Sequence, residues 1–237
     1  MIMAINKYID KIGLEIEGAW YNGQPYNLHT DGSVSARADH TGESVSDPME
    51  SWRAVRDFIT DNYPDEHNSS CGLHVHFSFN SLGIYSRLMD KEFHPYFTGA
   101  MKAWGEENKI QDTAFWDRLN GRNQYCLSEW RADNQAMQRT KNSPRYCHWN
   151  FCYGLHKTAE CRLLPVFGSS DNAILAVGAV GKCVMAWLGK VNKSGVMIET
   201  ITEPVMEDNQ TRLAIAGGEL DTAFDIQPLI YKEIACV

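Results

Sequence analysis

Hydrophobic and polar residues alternate from Ile12 to Glu17, with Ile12, Leu14 and Ile16 on one side and Gly13, Glu15 and Glu17 on the other. That two-residue period predicts a half-buried strand carrying two carboxylates on its polar face. Beyond a turn at Tyr21 to Pro25, the segments Tyr26 to Ser35 and Glu43 to Ser46 read as short strands, separated by a glycine-containing loop around His40 to Gly42. Trp52, Val55, Phe58 and Ile59 then recur at three- and four-residue spacing, which predicts an amphipathic helix over Met49 to Asp61, ending before Pro64. After a polar loop, Asp65 to Ser70, the residues Leu73, Val75, Phe77 and Phe79 alternate with His74, His76 and Ser78, so two histidines share a strand face. Helical spacing dominates from Leu82 to Asn108 and, less regularly, from Thr113 to Asn142, with breaks at Gly99, Gly105 and Gly121. Tyr146 to Tyr153 and Thr158 to Pro165 read as strands joined by a turn at Gly154 to Lys157, the second alternating Glu160 and Arg162 with Cys161 and Leu163. Asn172 to Lys190 predicts an apolar helix, and Leu213 to Ala235 one or two more.

No stretch has the composition of a linker and no segment repeats, so residues 1–237 read as a single α+β domain. The chain is long enough to bury a sizeable core without disulfide or metal staples. Twenty-two basic against thirty acidic residues give a formal charge of −8, which disfavours strong nonspecific nucleic-acid binding. Seven cysteines without a CxxC pair suit reduced thiols better than a disulfide framework or a zinc ribbon. Charges at Lys7, Asp10 and Lys11 leave no apolar signal segment at the start, and the expectation is a cytoplasmic protein. Lys182 and several glycines interrupt the apolar run from Ala173 to Val191, which fits a core helix better than a membrane span.

Three strands each carry a polar pair at i and i+2: Glu15 with Glu17, His74 with His76, and Glu160 with Arg162. In one sheet these pairs can line one face while the aliphatic residues pack on the other. Singly, each pair is more often a solvated strand face or a cross-strand ion pair. Their co-occurrence, beside Gly13, Gly18 and Gly72, is what points to a site. Carboxylates crowded in a cleft repel one another unless cations compensate, so a divalent metal is the natural partner. Oxygen donors with one imidazole favour Mg²⁺ or Mn²⁺ over zinc. Arg162 offers a planar fork suited to phosphate oxygens. There is no Gly-x-Ser-x-Gly elbow, and Ala176 to Cys183 fails the P-loop pattern. Trp104, Trp116, Trp130 and Trp149 read as core or pocket wall.

Taken in order, Gly13-Leu14-Glu15-Ile16-Glu17, Asp31-Gly32-Ser33-Val34 with Glu43-Ser44-Val45-Ser46-Asp47-Pro48, Cys71-Gly72-Leu73-His74-Val75-His76-Phe77-Ser78, and Thr158-Ala159-Glu160-Cys161-Arg162-Leu163 resemble the amidoligase family. That family lies within the glutamine synthetase and glutamate–cysteine ligase superfamily of ATP-dependent carboxylate–amine ligases. The motifs lie within residues 13–165, and the helical part from 171 to 237 matches only in its apolar helices. The resemblance implies a curved antiparallel sheet with helices on its outer face, whose concave side holds ATP and divalent ions. It implies that Glu15, His74 and Glu160 hold one metal and that Glu17 and Glu43 hold a second, nearer the substrate carboxylate. Arg162 would bind the γ-phosphate and steady an acyl phosphate, His76 would sit by the nucleotide, and Asp31 would orient the incoming amine. The Asp31 assignment competes with a plain turn-forming aspartate before Gly32. Arg122, Arg145 and Asn150 stand in family-like surroundings as binders of substrate or nucleotide. Asp47 departs from the family pattern and could add a ligand or do nothing. Cys161 faces away from Glu160 by strand alternation, so it reads as core.

The implied reaction joins an acid to an amine, each a free amino acid, a peptide or a modified small molecule, with no protein nucleophile. A metal-dependent hydrolase or nuclease built on the same Glu/His cluster is the alternative, and a non-catalytic relative is the third.

Overall fold

Ile12, Leu14 and Ile16 lie buried in a long strand, β1 (Ile9–Trp20), from which the rest of the sheet is paired outward. The computed structural model describes residues 8–31, 34, 38, 40–130 and 145–193. β1 is joined by β2 (Leu28–His29), β3 (His40–Val45), β4 (Gly72–Phe79), β5 (Trp149–Cys152) and β6 (Thr158–Pro165). They form one six-stranded sheet in the order β2-β3-β1-β4-β6-β5, antiparallel at every pairing.

The helices are α1 (Trp52–Asp61), α2 (Leu82–Leu88), α3 (Phe93–Glu107), α4 (Thr113–Leu119), α5 (Tyr153–His156) and α6 (Ser170–Lys193). Side-chain oxygens accept from the first-turn amides of three of them, Ser51 from Ala54, Ser81 from Ile84, and Asp112 from Ala114 and Phe115. α1, α2 and α3 pack on α6, and together they cover the face of the sheet that carries Leu14, Ile16, Leu73, Val75, Phe77, Ala159, Cys161 and Leu163. Trp149, Phe93 and Phe97 interlock in this core with centroids 5.1–5.8 Å apart, and truncating such a buried ring costs about 3–5 kcal/mol. The predicted alternation therefore holds: apolar side chains meet helices, and the polar pairs occupy the opposite face.

Several local readings change. His40 to Gly42 is not a loop but the start of β3. A Cβ on Gly42 (φ 146°) would lie 2.0 Å from the His29 carbonyl oxygen, so this glycine marks the close approach of β2. Among the described residues, the strand expected over Tyr26 to Ser35 is confined to Leu28–His29, beginning after Asn27 at φ 44°. The Gly154 to Lys157 turn is the single-turn helix α5, closed by Lys157 at φ 57°. Between Thr113 and Asn142 the described helix is α4 alone, which ends at Leu119, two residues before Gly121 (φ 67°); residues 131–144 and the Leu213 to Ala235 helices lie outside the described residues.

The stretch Ser170–Val191 of α6 is long and apolar enough to cross a membrane by length and composition, and 56% of an eighteen-residue apolar run within it is buried inside the protein. A core helix passes the same test. Trp149 is core; Trp104 is 7% exposed, and Trp116 and Trp130 pack partly buried against the same cluster.

Candidate metal and catalytic site

The register of the sheet places the polar pairs in adjacent rows. In one row His29 faces Glu43, Glu43 faces Glu17, and β1 carries Glu17 toward Gly72, whose amide donates to Glu17 Oε2 at 2.5 Å. In the next row Val45, Glu15 and His74 stand abreast. In a third, Gly13, His76, Glu160 and Asn150 line up across four strands. Side chains directly opposite one another share a face, so the antiparallel pairing itself gathers residues that are far apart in the chain. Gly13 contributes no side chain opposite His76.

Two donor sets result. Glu15, His74 and Glu160 each offer an atom within 4.8 Å of the others, and so do Glu17, Asp31 and Glu43. His74 links the sets: Nδ1 is 3.1 Å from Glu15 Oε2 and 3.5 Å from Glu160 Oε1, and Nε2 is 3.7 Å from Glu17 Oε1. Asp31 thus joins the carboxylates of the second set instead of serving only to form a turn. These donors are carboxylate oxygens with one imidazole, a composition suited to Mg²⁺ or Mn²⁺.

Electrostatics divide the carboxylates. Burial pushes Glu160 up, but Arg162 and both histidines outweigh it and hold the carboxyl at about 2. Arg162 donates to Glu160 Oε1, and Asn150 Nδ2 donates to Glu160 Oε2 at 2.6 Å. Glu15 is likewise disfavoured by burial yet held well below the carboxylate range, chiefly by His76, whose Nε2 is 3.1 Å from Glu15 Oε1. His76 rises well above its ordinary value against its own burial, for the reciprocal reason, and its Nδ1 meets Thr158 Oγ1 at 3.1 Å. Glu43 goes the other way. Burial first, then Glu15, Asp31, Glu17 and Glu160, push it up to about 8. The second set is therefore a cluster of negative charge short of a cation, the arrangement a divalent ion relieves.

Arg118, which no sequence motif marks, braces this site. It is 1% exposed on α4, while Phe115 on the same helix sits in the core. Its guanidinium donates to three backbone carbonyls: Arg162 at 3.1 Å, Ser70 at 3.0 Å and Cys71 at 3.1 Å. One side chain thus ties β6 to the segment leading into β4. Behind it, His148 Nε2 donates to the Arg118 carbonyl at 2.8 Å, and His148 Nδ1 accepts from His94 Nε2 at 3.2 Å. Burial pushes His148 down to about 4, so it serves as a neutral spacer. Arginine alternating with no apolar stripe gives no pattern signal, and its role is visible only once α4 is docked.

A cleft opens on this face, lined by Glu17, Asp31, His74, Arg118, Arg145 and Arg162, with Ser70, Tyr125 and Tyr146. Arg145 is thereby brought to the site. Arg122 is not among the lining residues: it is 73% exposed with NH1 3.9 Å from Asp117. Asn150 is buried, and its amide Nδ2 donates to Glu160, which orients that carboxylate. Asp47 accepts from the Tyr26 hydroxyl at 2.5 Å on the surface and belongs to neither donor set. Cys161 is fully buried on the core side.

No family model, curated protein or solved structure matches the chain in comparisons with known proteins.

Proposed function

We propose that this chain is an ATP-dependent carboxylate–amine ligase that uses its antiparallel sheet as glutamine synthetase-like enzymes use theirs. The observation that carries the reading is the pairing of two carboxylate-rich donor sets, each within 4.8 Å, with a buried arginine fixed beside one of them. In this reading Glu15, His74 and Glu160 hold one Mg²⁺ or Mn²⁺, and Glu17 and Glu43, with Asp31 beside them, hold a second. The ions, when bound, neutralise phosphate oxygens and polarise the acid for phosphoryl transfer from ATP.

The chain's own residues do the rest. Arg162 offers its remaining guanidinium edge to phosphoryl oxygens, its orientation fixed by Glu160 and by the brace of Arg118 on its carbonyl. Asn150 keeps Glu160 turned toward the first set. His76, held charged by Glu15, places a positive group at the nucleotide end of the face. Asp31, in the cleft wall, is placed to accept a proton from an incoming ammonium group. A hydrolase built on the same donors would leave Arg162 with less to do.

The test is release of ADP and phosphate from Mg²⁺·ATP, with Mn²⁺ in parallel, in the presence and absence of pooled amino acids and amines. Stimulation by the pool that disappears in Glu15→Gln is the expected result. Absence of ATP binding would overturn the ligase reading and leave metal-dependent hydrolysis as the activity to assay.

A further inference from the structure

Three residues on three segments close a cycle of hydrogen bonds around Arg162. The Arg162 amide on β6 donates to the His148 carbonyl at 2.9 Å. Arg118 Nη1 donates to the Arg162 carbonyl at 3.1 Å, and His148 Nε2 donates to the Arg118 carbonyl at 2.8 Å. Each residue gives one bond and takes one, and His148, fully buried just before β5, touches both of the others. The Arg118 carbonyl lies in the last turn of α4, where it also accepts from the Gly121 amide at 3.0 Å. The imidazole thus serves a helix-end carbonyl.

A carbonyl can only accept, so Nε2 of His148 carries the proton. Nδ1 of the neutral ring is then an acceptor, and it faces Nε2 of His94 at 3.2 Å, which donates. Burial pushes His148 down to about 4, against the pull of the Arg118 carbonyl, and keeps the ring neutral. His94, half-buried on α3 and lowered by burial as well, lies against Trp130 with ring centroids 5.8 Å apart. The order of protons from α3 through His148 to α4 is therefore fixed.

We propose that His148 is a positioning residue for Arg162: through the Arg118 carbonyl it sets where the Arg162 guanidinium stands, and His94 selects the tautomer that lets it do so. The effect reaches the first donor set, because Nη1 of Arg162 bonds Glu160 and stands 3.5 Å from Nδ1 of His74. A small displacement of the Arg162 backbone moves charge at both ligands. This rests on the ligase reading for what Arg162 does to phosphate, but not for how Arg162 is held.

Two substitutions separate the bond from mere packing. His148→Gln keeps an amide donor able to reach the Arg118 carbonyl and loses the ring, whereas His148→Phe keeps a ring and loses the donor. In the full chain, with EDTA and without ATP, NMR reads the Nε–H resonance of Arg162, a buried group, and the exchange rate of its amide. The expected result is a displaced resonance and at least about tenfold faster exchange in His148→Phe, the size of one hydrogen bond, both returned toward the parent in His148→Gln. His94→Phe should displace the resonance in the same direction. In the ligase assay kcat should fall at least about tenfold in His148→Phe, with the KM for the acid unchanged, and recover in His148→Gln. A parent-like resonance and exchange rate in His148→Phe, or a greater disturbance in His148→Gln than in His148→Phe, would make His148 a packing residue and overturn the proposal. If His148→Phe does not fold, an Arg162 resonance unmoved in His94→Phe overturns it alone. An unchanged kcat in a His148→Phe protein whose Arg162 resonance has moved would overturn the catalytic consequence. The NMR measurements need no ATP, so a chain that fails to turn over ATP loses the ligase reading while the placement of Arg162 is still decided.

Discussion

A Cβ placed on Gly72 would lie 2.5 Å from Nε2 of His74, so the ring that touches both donor sets is seated against the backbone of its own strand. Gly72 → Ala must turn that ring, and the ring has little room, with Glu15, Glu17 and Glu160 around it and 2% of its side chain exposed. The expected outcome is a loss of Mn²⁺ affinity of at least about tenfold, typical of a misoriented ligand, with the far-UV circular dichroism unchanged. An unaltered Mn²⁺ titration would show that His74 is not a ligand.

Asn150 donates to Glu160, so Asn150→Ala should lower metal affinity about tenfold and lower kcat while leaving the KM for the acid unchanged. Steady-state kinetics beside a metal titration checks this. A rise confined to KM for the acid would return Asn150 to the substrate.

Glu160 and Arg162 are both buried, at 4% and 6% exposure. Removing one charge from a buried pair strands the other, at a cost of about 3 kcal/mol. Glu160→Gln should therefore destabilise the metal-free protein by that order in urea denaturation. A change below about 0.5 kcal/mol would mean that Glu15 satisfies Arg162 by itself.

Glu43 sets a pH dependence. In the folded chain it keeps its proton up to about 8, whereas unfolded it releases it near 4.5. Between those values the folded state binds more protons, so stability is highest at the acid end and falls as the pH rises through 8. His76, raised for its own reason, acts in the same direction. Glu160 acts oppositely: the stability it contributes above its unfolded value is lost as the pH drops toward 2. In EDTA the melting temperature should fall from pH 5 to pH 8, and Glu43→Gln should flatten that slope without abolishing the part due to His76. A Glu43→Gln slope identical to that of the parent protein would show that Glu43 titrates normally.

The strand faces were legible because alternation has a period of two and each strand buries one side. Ile12, Leu14 and Ile16, and likewise Leu73, Val75 and Phe77, announce which side that is. The amphipathic helix at Trp52 was legible for the analogous reason. Glycine was the misleading residue. Gly42 reads as a loop in one dimension, because composition cannot distinguish a flexible link from a place where two backbones nearly touch. Arg122, a binding candidate from its neighbours in sequence, lies exposed in the turn after α4 and outside the cleft lining.

By itself the sequence determined which residues share a face: Glu15 with Glu17, His74 with His76, Glu160 with Arg162. Side-chain direction alternates along any strand, so that follows from local geometry. Which faces adjoin was a matter for the tertiary structure alone. Register brought His76 opposite Glu160 and Glu43 opposite Glu17, drew Asp31 to the second donor set, and swung Arg118 beneath Arg162. Distances between strands depend on pairing and on helix docking, and these minimise a free energy summed over contacts between residues far apart in sequence, which no local pattern encodes.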